Sequence, residues 1–155
     1  MSLIKKILLV LLIVFIAIQF IQPARNKSVQ GLPTDISKTV SVSENVQKIL
    51  QISCYDCHSN NTRYPWYNYV QPTAWILANH IKHGKRDLNF SDFGAYPNRK
   101  QQSKLKAIAD QIKDGEMPLY SYTLIHNNSR LSKEQKAIII DWANNAEDSL
   151  DKINP

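Results

Sequence analysis

Cys54-Tyr55-Asp56-Cys57-His58 holds both cysteines of the 155-residue chain. With both thiols in one CxxC pair there is no wider disulfide framework, so the fold must rest on its apolar core. The flanking sequence is helical in pattern. Upstream, Ser41-x-x-Glu44 is a capping-box pattern, and Val46, Ile49 and Leu50 repeat at helical spacing. This predicts a helix from about 42 to 52 that delivers the chain into Cys54. Downstream, Pro72 suits a first helical turn, with Trp75, Ile76, Asn79 and His80 at helical spacing and Gly84 as a stop. Leu105, Ile108, Ala109 and Ile112 mark one face of a third helix, from about Lys100 to Asp114, which Gly115 ends. Ser132-x-x-Gln135 caps a fourth, with Ile138, Ile139 and Trp142 inward. No stretch between 41 and 155 alternates with period two, so an all-α domain is expected, with long functional loops at 58–71, 85–99 and 115–131.

Two thiols three positions apart on a short turn match the two vinyl groups on neighbouring pyrroles of one haem, and an adjacent histidine places its imidazole under the iron. Cys54, Cys57 and His58 are therefore expected to hold one covalently attached haem c. Three other readings stay open. A thioredoxin-like CxxC would open a helix in a βαβ unit, and no such unit is visible. A zinc site would need a distant fourth ligand such as His80 or His83. A local disulfide would leave His58 without a role.

Function turns on the other axial ligand, since a protein ligand gives electron transfer and an open position gives small-molecule chemistry. Met117 is the only internal methionine and sits in Gly115-Glu116-Met117-Pro118, a helix stop followed by a rigidifying proline. It is the expected iron ligand beside His58; its other reading is a filler of an irregular core gap. His126, in an apolar segment, is the rival ligand, whereas His80 and His83 share a helix face with lysines nearby and read as solvated. Trp66 and Trp75, with Tyr64, Tyr67 and Tyr69, crowd the stretch after His58. They are candidates to wall the cofactor from water, or ordinary core. Arg63 is a candidate partner for a haem propionate, or simply exposed.

At the N-terminus Lys5 and Lys6 precede an unbroken apolar run from Ile7 to Ile18. Taken as a helix from Leu3 to Ile21 it would span roughly 28 Å, close to a hydrocarbon core of about 30 Å. A cleaved signal peptide needs small residues at the cleavage positions, and Ala24 has Gln22 two places before it, so an uncleaved transmembrane anchor is preferred. Residues 22 to 40 are polar and carry Pro23, Gly31 and Pro33, the composition of a flexible linker. The expected organisation is an anchor or signal segment at 1–22, a linker at 23–40 and a haem-binding domain at 41–155.

The formal charge of +6 is concentrated before residue 41, and the remainder, with 14 basic and 12 acidic residues, carries only +2. That argues against nucleic acid as a partner. Lys82, Lys85, Arg86, Arg99, Lys100, Lys104 and Lys106 face only Asp87 and Asp92 in the same stretch, a patch suited to an acidic redox partner or anionic lipid.

The sequence resembles the small bacterial haem-binding domain family built around CxxCH. The resemblance is carried by Cys54 to Ser59, Tyr64-Pro65-Trp66-Tyr67, Pro72, Trp75, the stretch Gly84 to Ser91, Gly115-Glu116-Met117-Pro118 and Leu131-Ser132. It covers most of residues 42 to 147. It implies a cytochrome-c-like helical mono-haem domain, exported, with Met117-Pro118 matching the ligand loop and Leu88 to Ser91 bracing the haem pocket. Where this sequence has Phe93, such domains often carry tryptophan. The expectation is a mono-haem electron carrier of the bacterial cell envelope, anchored in the inner membrane with its haem domain in the periplasm. The alternative is a haem-based sensor or peroxidase-like enzyme with an open or labile sixth position.

Overall fold

A computed structural model describes residues 2–28 and 32–153. All regular structure among them is helical, as the absence of period-two alternation requires. The helices are α1 (Leu3–Ile18), α2 (Ile36–Thr39), α3 (Glu44–Ser53), α4 (Tyr55–His58), α5 (Thr73–Asp87), α6 (Asn98–Lys113), α7 (Tyr120–Ile125) and α8 (Lys133–Ile153). Short 3₁₀ turns at Trp66–Tyr69, Phe90–Ala95 and Asn127–Ser129 occupy the stretches that read as loops.

The expected caps form, one of them displaced. Ser132 and Gln135 close a reciprocal box, Ser132 N–H donating to Gln135 Oε1 at 2.9 Å and Gln135 N–H to Ser132 Oγ at 3.2 Å. At α3 the cap is Ser43, whose hydroxyl accepts from Val46 N–H, rather than Ser41. The Ser41 carbonyl instead accepts from the Trp142 indole at 2.9 Å, locking the entry to α3 against α8. The body is the antiparallel pair α6 and α8, with the start of α6 bonded to the end of α8 through Asn98 and the Leu150 carbonyl. Leu105, Ile108, Ile139 and Ala143 meet between them, and Val46, Ile49 and Leu50 of α3 close the core from the side.

Three expectations change. Residues 23–40 read as a linker because they are polar and carry prolines and a glycine; residues 29–31 lie outside the described residues. The described remainder packs on the domain: Ile36 is 0% exposed in the core, with Val40 beside it. Gly94 accepts this segment closely, its N–H donating to the Thr34 carbonyl at 2.7 Å. A Cβ there would stand 2.6 Å from Thr39 Oγ1, so only glycine permits the approach.

Gly84 does not stop α5, which runs to Asp87. A Cβ at Gly84 would lie 2.8 Å from the Cys57 carbonyl oxygen, so this glycine is where α5 crosses the CxxCH segment at backbone contact.

The apolar N-terminal helix is 16 residues long and ends at Ile18, three short of the expected Ile21. That is roughly 24 Å of helix, against a hydrocarbon core of about 30 Å. Among the described residues no helix is long and apolar enough to cross a membrane. Gln19 accounts for the early end: its side-chain amide donates to the Phe15 carbonyl, and its Oε1 accepts from Gln71 N–H of the domain at 2.9 Å. No residue of α1 is buried.

Candidate functional site

Cys54 ends α3 and begins α4, and the single turn Tyr55–His58 carries the rest of the motif. His58 Nδ1 lies 3.0 Å from both the Gly84 and the Leu88 carbonyl oxygens. Carbonyls only accept, so Nδ1 bears the proton and Nε2 is left as a neutral electron-pair donor. Burial pushes the His58 pKa down, with the two carbonyls opposing, which favours that neutral form. Phe90 lies against the ring at a centroid distance of 6.0 Å and stacks on Tyr55 at 5.0 Å.

Asp56, between the two cysteines, ties the turn to its surroundings. Its Oδ1 accepts from Arg63 N–H and Nε, both at 3.2 Å, and its Oδ2 accepts from the Tyr122 hydroxyl at 2.8 Å. Thr62 Oγ1 donates to the Asp56 carbonyl at 2.6 Å. Arg63, a candidate for a propionate, thus serves Asp56 and the Gln51 carbonyl instead. The Tyr122 pKa is raised by burial and by the Asp56 charge, so its hydroxyl stays a proton donor. Asn89 braces the next loop, donating to Asn60 Oδ1 at 2.8 Å and to Asp92 Oδ2 at 2.6 Å, while Ser91 Oγ accepts from Asn60 N–H. The Leu88 to Ser91 stretch therefore fixes the chain just after His58 by amide hydrogen bonds.

Cys54, Cys57 and His58 open onto a cavity of about 550 Å³ lined mainly by apolar groups. Small-molecule and cofactor sites typically measure roughly 300–1,000 Å³. The same cavity is lined by Met117, Pro118 and Leu119, by Ile108, Gln111 and Ile112 of α6, and by Tyr122. Met117 arrives there because α6 ends in a Schellman motif. Gly115, at φ +77°, lets its N–H reach the Ile112 carbonyl, and Glu116 N–H reaches the Gln111 carbonyl at 2.9 Å. Met117 N–H shares that Gln111 carbonyl at 3.2 Å, so the loop folds back over the helix end.

Both cysteines are free thiols. Burial raises Cys54 to about 12 and Cys57 to about 11, so neither is held as the low-pKa thiolate that a redox CxxC uses. Among the described residues no group of three or more His, Cys, Asp or Glu is placed to hold a metal ion. That removes the support for the zinc reading, and the all-helical fold removes the βαβ unit a thioredoxin-like site needs. An apolar cavity floored by two thiols and a histidine with its Nε2 uncommitted fits haem in chemistry and in size.

The other candidates divide. Trp66 does not line the cavity and is 79% exposed, and Trp75 points its indole at the Ile21 carbonyl. Neither walls the cofactor site, because the 3₁₀ turn at Trp66–Tyr69 packs on the start of α5, away from Gly84. His126 is also off the cavity: its Nε2 is 2.7 Å from the Tyr67 hydroxyl and its ring stacks on Tyr122 at 4.3 Å. His80 and His83, which read as solvated, do line the cavity, as does Lys104. The signal was Gly84: once a glycine inside the helix is taken as the contact with Cys57, His80, one turn before it, and His83, beside it, are placed to border the same space.

No curated protein and no solved structure matches the chain. Residues 13–145 match the family model described as "Haem-binding domain", and the chain belongs to that family of haem-binding proteins.

Proposed function

We propose that the protein is a membrane-tethered mono-haem cytochrome of the c type that carries electrons in the bacterial cell envelope. The observation that carries the reading is the single cavity lined at once by Cys54, Cys57, His58 and Met117. Cys54 and Cys57 would hold the haem through thioethers, and His58 Nε2 and Met117 Sδ would be the groups offered to its iron. When bound, the haem supplies a one-electron couple, and a thioether ligand raises its potential relative to a second histidine. The chain's own part is positional. The Gly84 and Leu88 carbonyls fix the His58 tautomer and increase its basicity. Burial keeps the cysteines as thiols until attachment, and the apolar lining excludes water.

The tether is α1, which beyond Lys5 and Lys6 is apolar on every side and which the domain leaves uncovered. A helix hydrophobic all round belongs in a core or in lipid. Its 16 residues fall short of a full span, which local thinning of the bilayer makes up. Thioether attachment of haem takes place outside the cytoplasm, so the domain faces the periplasm from the inner membrane. Lys104 at the cavity edge and exposed lysines nearby suit an acidic redox partner.

The test is an absorption spectrum of the exported protein in both oxidation states, with and without carbon monoxide, followed by acid-acetone extraction. The reading expects a six-coordinate low-spin ferrous spectrum unchanged by carbon monoxide, and haem that stays with the polypeptide. The second reading, an open site for sensing or peroxidase-like chemistry, draws on His80 and His83 beside the cavity. Prompt carbon monoxide binding would select it.

A further inference from the structure

The chain leaving α1 is held along the domain. Gln71, 0% exposed, makes the central joint: its N–H donates to Gln19 Oε1, and its Nε2 donates to the Ile21 carbonyl at 2.9 Å and to Gln22 Oε1 at 3.3 Å. The Trp75 indole adds a second donor to the Ile21 carbonyl at 2.9 Å. Farther on, Arg25 Nη1 donates to the Tyr69 hydroxyl, and the guanidinium carbon Cζ lies 4.6 Å from the centre of its ring. Asn26 then joins Ser59, Thr62, Tyr64 and Lys85. A buried residue whose backbone N–H and side-chain amide satisfy three polar groups across a junction is the signature of a fixed joint, not a swivel.

Around that joint the surface is apolar and aromatic. Phe20, Ile21, Trp66, Tyr69, Trp75 and Ile76 are all exposed, and Arg25 and Lys27 adjoin them. Exposed aromatics beside cations at the end of an apolar helix form the belt that proteins place at the headgroup level of a bilayer. We propose that these six residues form one interfacial face seated in the phospholipid headgroup region, so that the haem-binding domain is clamped against the bilayer at a fixed orientation. The proposal rests on α1 lying in lipid. Its occupant is lipid because Phe20 and Ile21 follow directly on the uncovered apolar surface of α1, and the Trp75 indole, bonded to the Ile21 carbonyl, joins the domain's part of the patch to them. Gly84 follows Trp75 by nine residues of α5, roughly 13 Å along the helix axis, so the belt sets where the cavity stands relative to the membrane.

The test uses the full haem-loaded chain with vesicles of phosphatidylcholine and phosphatidylglycerol. Flotation with the vesicles reports α1 in lipid, and linear dichroism of the haem band in oriented multilayers reports the clamp. The expected result is flotation with strong dichroism for the natural chain. The pair Trp66→Glu and Ile76→Glu should keep flotation and an unchanged haem spectrum but lose most of the dichroism. Should the pair fail to accumulate, Trp66→Glu alone, at a 79% exposed site, should reduce the dichroism in the same direction. Flotation of the natural chain without dichroism, or full dichroism in the variants, would overturn the clamp while leaving the tether intact. A failure to float would remove the tether and the clamp together. A doubled particle mass in detergent that the pair variant halves would assign the face to a second copy of the chain and also overturn the proposal.

Discussion

The cavity has two unlike sides. The motif side is over-determined: His58 Nδ1 meets two carbonyls, Asp56 accepts three hydrogen bonds, and Gly84 brings α5 to backbone contact with Cys57. The Met117 side hangs from one helix cap, with backbone bonds to Gln111 and Ile112 and with exposed Glu116, Leu119 and Tyr120 around it. Fixing a side chain by several bonds removes alternatives, whereas a loop with few buried contacts opens at low free energy. One side of the cavity is thus built to stay and the other is free to yield. A metal site so arranged holds its cofactor through one wall and tunes it through the other.

The most damaging change to that contrast is Gly84→Val. A Cβ at 2.8 Å from the Cys57 carbonyl already forces movement, and two methyl groups beyond it cannot be placed without separating α5 from α4. Overpacking of this kind costs about 1–3 kcal/mol or more. Urea unfolding should show the midpoint fall, and haem staining of a denaturing gel should show attachment reduced several-fold. Normal attachment in the valine variant would mean that the motif wall tolerates displacement.

Asp56→Ala comes next. It strips the partner from the Tyr122 hydroxyl and from Arg63, and the Tyr122 loss dominates because Arg63 is largely exposed. Leaving a fully buried donor unpaired costs about 1–3 kcal/mol, and the half-buried Tyr122 hydroxyl falls at the low end of that range. Asp56→Asn keeps an acceptor for Tyr122 and should lose clearly less in the same urea titration. Equal losses in the two variants would show that the charge, not the acceptor, matters there.

The helices that carry these walls could be read from the chain alone, since α3, α5, α6 and α8 each bury a face at helical spacing and three of them have a cap or stop near the expected residue. CxxCH and the Gly115 to Pro118 turn were legible because both are local: one is a covalent pattern, the other a helix end that needs a positive φ. What could not be read is non-local. Nothing in the polar run 32–40 announces that Ile36 will fill the core, because a single isoleucine has no period. The sequence singles out no role for Asp56, and only the fold brings Tyr122 to it across 66 residues. The aromatic cluster misled for a related reason: Trp66 is near His58 in sequence, yet the 3₁₀ turn carries it to the surface instead.

Gly115→Ala addresses the weaker side. With nothing within 4 Å of an added Cβ, its cost is purely that of holding alanine at φ +77°, about 1–2 kcal/mol. Part of that strain relaxes by opening the Schellman turn, so the loop should exchange its Glu116 and Met117 amide hydrogens faster while α4 stays protected. Hydrogen exchange read by mass spectrometry separates the two walls. Uniform loss of protection would show that they are not independent.

The smallest effect on the fold belongs to Met117→Ala. The side chain is half-buried at the edge of an existing cavity, so truncation enlarges that space instead of hollowing a packed core, and its contacts with the Gln111 carbonyl come from its backbone, which alanine retains. Circular dichroism and covalent haem content should be unchanged. The iron should respond: the sulfur-to-iron charge-transfer band disappears, carbon monoxide binds to the ferrous form, and the reduction potential drops as the thioether is lost. His80 and His83 border the same cavity, and a bis-histidine spectrum in this variant would show one of them reaching the vacated position. If instead the variant kept the natural spectrum, the yielding side would have a different ligand. The rigid His58 side would be untouched, because none of its bonds passes through Met117.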